Sequence, residues 1–147
     1  MPDMDSPHLR LQQQIDCNLE VHAGSALETW QQDHWKEEPF TDADEAPLKY
    51  IALVLLDAIE HKAVRLSVEK DEGVTVFADE PYPLPKAPPE YIARCLEIIR
   101  EIAGMERGVA EGTLSLGIRN DSLELIIQKE GGTHMINIPG VGTLSGA

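Results

Sequence analysis

The stretch 62–79, KAVRLSVEKDEGVTVFAD, constrains the fold more than any other part of the chain. Val64, Leu66 and Val68 alternate with Arg65, Ser67 and Glu69, so one face is apolar and the other polar. That two-residue period is the mark of a half-buried strand. Asp71, Glu72 and Gly73 interrupt it, and Val74, Val76 and Ala78 resume it against Thr75, Phe77 and Asp79. A glycine beside acidic residues between two alternating runs predicts a tight hairpin. A lone hairpin is marginally stable in water and needs a cover. The apolar segments 48–59 and 92–103, one on each side, are the expected cover.

With 147 residues, of which 42% are apolar, the chain has the size of one domain with its own core. Its net charge of −14 argues against a phosphate-neutralising face, so no nucleic-acid partner is expected. Residues 1–45 carry eleven acids and two bases, and the remainder fifteen and ten, so much of the acidity is in the leading segment. Cys17 and Cys95 are too few and too far apart to make a disulfide framework. The start, MPDMDSPHLR, lacks the basic and apolar regions of a secretory signal. The apolar run IALVLLDAI falls well short of the roughly twenty residues needed to span a bilayer. A cytoplasmic protein without membrane insertion is expected.

Along the chain, 1–45 reads as an acidic arm. Leu9, Leu11, Ile15, Leu19 and Val21 allow one short amphipathic helix, and 26–36 a second carrying Trp30 and Trp35. High charge with sparse aliphatics favours mobility, whereas two tryptophans favour docking on something. The arm is expected to lie outside the core. Pro47 opens the first strong helix, preceded by Asp42, Asp44 and Glu45 at its positive end. Its apolar residues run nearly all round, which predicts deep burial. The loop EPYPLPKAPPE has five prolines and is expected to hold no regular structure. Pro88 and Pro89 start a second helix, with Ile92, Cys95, Leu96, Ile99 and Ala103 as its buried stripe and Gly104 at its end. Strands follow at 113–119, 122–129 and 133–138, separated by the turn pairs Asn120-Asp121 and Gly131-Gly132. Residues 140–147 read as a tail.

Catalytic chemistry is not legible. There is no phosphate-binding GxxxxGK[ST] loop, no HExxH and no CxxC. His34 and Glu38 share a helix face and could edge a metal site, but such a pair is commonplace on a solvated surface. His8, His22, His61 and His134 are scattered. Cys95 sits on an apolar stripe and reads as core rather than nucleophile. Asp79 and Glu80, and Glu106 and Glu111, read as surface charge. No catalytic, cofactor-binding or metal-binding residue is expected, and no cofactor.

From about residue 48 to 139 the chain resembles the N-terminal, non-catalytic module of the type II secretion and type IV pilus assembly ATPases. In that family a helix leads into a strand of the type ASDIHIEP, matched here by AVRLSVEK at 63–70. A strand ending RYRIDG follows, here VFADE at 76–80. After a proline-containing loop comes a helix ending KxxAGMD, here REIAGME at 100–106, and then PQDGR, here AEGT at 110–113. The nearest local match is Ala103-Gly104-Met105-Glu106 followed by Glu111-Gly112. The departures bear on function. The family's arginines before the IDG turn, which help bind nucleotide held by the adjoining ATPase domain, fall here on Thr75 and Phe77. The arginine of its later RVS motif falls near Ile126. No stretch of these 147 residues resembles the family's ATPase domain, so the module is expected without its motor.

The expected fold is therefore α+β and two-layered: an antiparallel-rich, five-stranded sheet with two helices on one face, in the order αββαβββ, over 46–139. The resemblance implies a non-enzymatic protein-interaction or regulatory domain whose protein partner is a secretion or pilus component. The alternative is a small acidic chaperone for a secreted protein. The oligomeric state is left open.

Overall fold

The computed structural model describes residues 6–36, 44–105, 108–118 and 121–138, the last range without the side chain of Asp121. Three helices come first: α1 (Pro7–Cys17), α2 (Ala23–Gln32) and α3 (Glu45–Glu60). Strands β1 (Arg65–Glu69), β2 (Gly73–Phe77) and β3 (Pro81–Pro83) follow, then helix α4 (Pro89–Ile102). Strands β4 (Glu111–Ile118), β5 (Asp121–Glu130) and β6 (Thr133–Asn137) complete the described chain. All six strands pair antiparallel in one sheet, in the order β3-β2-β1-β6-β5-β4. The class is α+β, as the alternation and helical stripes predict. No helix among the described residues is long and apolar enough to cross a membrane.

The β1–β2 hairpin sets Leu66 opposite Val76 and Val68 opposite Val74, closed by Gly73 at φ +93°. The β4–β5–β6 meander joins it through β1 and β6, where Leu66 faces Ile136. Inward residues such as Leu66, Val76, Leu116, Leu125 and Ile136 are buried, while Arg65, Ser115 and Glu124 on the other face are exposed. The helices thus cover one face. Val64 differs from expectation: it precedes the strand and is 61% exposed, its N–H and C=O engaged by Phe77 and Ile138.

The sheet has six strands rather than five. The sixth, β3, lies within the proline loop, with Tyr82 opposite Val76. Leu84 donates its N–H to Val74, so Pro81 and Pro83, out of phase with it, turn their missing donors to the sheet's outer edge. Prolines are thereby compatible with this edge strand.

The arm also departs from expectation. Ser6 caps α1 by accepting from the Leu9 N–H, and Pro7 opens the helix. Leu11, Ile15 and Leu27 are fully buried, in the same cluster as Leu55 and Leu96. The reason lies in α3, whose apolar surface continues almost all round. One sheet and α4 cannot cover it, and α1 and α2 pack against its remaining sides. Trp35 meets Tyr50 of α3 edge-on and Trp30 meets Tyr91 of α4, so both tryptophans dock within the molecule.

At the opposite edge from β3, α1 closes β4. The Gln12 side-chain amide donates to the Gly117 carbonyl and accepts from the Gly117 N–H, both at 2.7 Å. His8 Nε2 donates to the Ser115 carbonyl at 2.6 Å. The amide occupies the place of a neighbouring strand's peptide group.

Candidate functional site

A polar cluster gathers where α3 ends. Asp57 lies in the last turn of α3 and is 2% exposed. Tyr82 of β3 donates its hydroxyl to Asp57 Oδ2 at 2.7 Å. His61, which caps α3, donates from Nδ1 to the Asp57 carbonyl at 2.9 Å and lies 3.5 Å from Oδ1. Its ring meets Tyr82 edge-on. A Cβ on Gly24 would lie 3.1 Å from the same carboxylate, so the start of α2 is packed against it. There the positive end of α2 helps compensate the buried charge. Burial and, next, the bond to Asp57 push the Tyr82 phenol well above its usual range. The cluster ties α2, α3 and β3 together.

Beside it opens a cleft of about 470 Å³, floored by Leu19, Val21, Leu56, Ile59 and Ile118 and rimmed by Glu20, His22 and Glu60. Val21 is 42% exposed there. His22 caps α2, its Nδ1 accepting the Ser25 N–H. Its Nε2 lies 3.7 Å from Glu60 Oε2. The last turn of α3 carries Asp57 and Glu60 and no basic residue. A carboxylate at the negative end of a helix is unfavourable by about 0.3–1 kcal/mol when exposed. Departures from a local rule of this kind are commonest at sites with a use.

Neither imidazole is hydrogen-bonded to a side-chain hydroxyl or thiol among the described residues, so the cluster presents no activated nucleophile. No group of three or more metal-ligating side chains comes together among them. Cys95 is 1% exposed, donates to the Pro47 carbonyl at 3.1 Å, and burial pushes its thiol up strongly. His34 takes φ +60° after α2, and Glu38 and Glu106 lie outside the described residues. Asp79, Glu80 and Glu111 are exposed. His134 is buried on β6, neither ring nitrogen hydrogen-bonded, and Arg100 Nε is likewise unpaired. Burial first, then the charges of Arg100 and Lys129, holds the His134 imidazole below its ordinary value. The sequence reading missed the pair Asp57 and His61, for which the i, i+4 spacing was the available signal. The approach of His22 to Glu60 gave no such signal, because it requires the chain to return from α1 to α3.

The residues that carry the family resemblance are also placed. Thr75, Phe77 and Ile126 are half-buried on the face of the sheet that no described helix covers. Phe77, Arg65, Asn137 and Ile126 form one cross-strand row over β2, β1, β6 and β5, and Arg65 lies over the Phe77 ring at 4.8 Å. Gly104 takes φ +73° beyond α4, and Met105 is buried. A Cβ on Gly112 would lie 2.6 Å from the Ala103 carbonyl oxygen and from Met105 Cγ. The two halves of the local match thus pack on each other. No family model matches the chain, and no curated protein matches it.

Proposed function

We propose that this chain is a non-enzymatic protein-interaction or regulatory module related to the N-terminal module of the type II secretion and type IV pilus assembly ATPases. The observation that carries the reading is the common face of Thr75, Phe77 and Ile126. These positions correspond to the family's arginines from two separate motifs, yet they share one sheet surface. The element order from α3 to β6 and the contact of Gly112 with Ala103 add to it. With threonine, phenylalanine and isoleucine where the family carries arginines, this surface is suited to a partner protein and poorly suited to a nucleotide's phosphates.

The test is co-purification of the affinity-tagged full chain from its own cells under native conditions. Enrichment of secretion or pilus assembly components is expected. Enrichment of a single secreted protein, held in extended form, would replace this reading by the chaperone one. Enrichment of neither would overturn it.

A further inference from the structure

We propose that Arg100, Lys129 and His134 form a binding site for a single phosphate-type oxyanion where the last turn of α4 meets β5 and β6. His134 is 6% exposed, and neither ring nitrogen is hydrogen-bonded among the described residues. Whichever tautomer it adopts, one ring nitrogen carries a proton that no acceptor receives. Arg100 Nε is also buried and unpaired. A buried N–H without an acceptor is costly, and two such groups acting on one place call for an anion there. Lys129 stands directly across from His134 in the β5–β6 pairing, so their side chains leave the sheet side by side on its helix-covered face. The charges that bear on His134 are those of Arg100 and Lys129, both positive, with no carboxylate among them. Other cations of the chain are engaged: Arg94 by Asp44 and Glu97, Lys49 by the Trp30 ring, Arg65 by the Phe77 ring. Arg100 offsets the negative pole of α4, which accounts for its charge but leaves Nε without an acceptor. A hollow of about 340 Å³ opens at Arg100, beside Gly104 and Met105, and gives an anion access. Of the acids on that hollow, Glu97 is held by Arg94 at 3.0 Å, and Glu101 is exposed, where water and salt screen it. Donors arriving from a helix and two strands suit a compact anion with oxygens on several sides better than a planar carboxylate.

The test is an NMR titration of the full chain with sodium sulfate, against sodium chloride at equal ionic strength, following the His134 imidazole and Arg100 Nε–H signals. Sulfate should shift both saturably, and chloride should not. Arg100→Gln should weaken sulfate binding roughly tenfold, through the loss of a charge-assisted hydrogen bond. Lys129 is exposed, so Lys129→Gln keeps the fold and should weaken binding roughly three-fold. Equal shifts in chloride, or none in either salt, would overturn the site and leave His134 a core residue bonded to water alone. Sulfate shifts that survive both substitutions, or that centre away from His134, would also overturn it. The co-purification result judges the module reading independently.

Discussion

A methyl group added at Gly112 would meet the Ala103 carbonyl oxygen and Met105 Cγ at 2.6 Å, and one of these is backbone at the end of α4. Gly112→Ala is expected to cost roughly 1–3 kcal/mol by overpacking, read from denaturant unfolding. Gly104 has open space around its Cα and a left-handed φ, so Gly104→Ala should carry only the backbone cost of roughly 1–2 kcal/mol. His134 gives a pH dependence. Its native-state value is depressed below 6.5, so the unfolded chain takes up the proton first as pH falls. Its stabilising contribution is whole above 6.5 and is lost progressively as pH drops toward the native value. Asp44 acts in the same direction at lower pH. The hydrogen bond from Arg94 holds its carboxyl below 3.8, so that contribution fades in acid beneath that value. Replacing His134 by Leu should flatten the fall in melting temperature that begins below pH 6.5 and leave the Asp44 step intact.

At the scale of elements, the arm supplies the sharpest contrast. Leu11 is fully buried and Leu9 is 37% exposed on the same helix. Leu11→Ala should cost roughly 2–5 kcal/mol, because the cavity left behind adds to the loss of apolar burial. Leu9→Ala should stay within about 0.5 kcal/mol. Calorimetry on the two variants separates an integral α1 from a loosely attached one. The β1–β2 hairpin, α3, α4 and the three later strands were legible because their apolar residues keep a period of two or of about 3.6. Strand β3 was not, since periodicity cannot show whether a proline's missing donor faces a neighbour or the solvent. The docking of α1 was hidden because Leu11 and Ile15 are only two apolar residues among glutamines. The signal lay elsewhere, in an α3 too apolar for one sheet and α4 to cover. In the site, His61 and His22 both read as scattered histidines: an i, i+4 spacing such as Asp57–His61 is commonplace on a helix, and only tertiary structure joins His22 to Glu60.

At the scale of the molecule, the four described helices and the sheet share one core, so removing residues 1–36 should abolish cooperative melting rather than trim an appendage. Among the described residues, the sheet face around Phe77 and Ile126 and the cleft beside Glu60 are two surfaces open to a partner. Neither assembles a nucleophile with its base among the described residues, which is why a binding role is proposed rather than a chemical one. The most direct measurement is nucleotide turnover by the purified full chain with magnesium and ATP. Hydrolysis at the level of the buffer blank is expected, unchanged by substitution of His61 or Asp57. Turnover clearly above the blank that is abolished by either substitution would contradict the non-enzymatic reading.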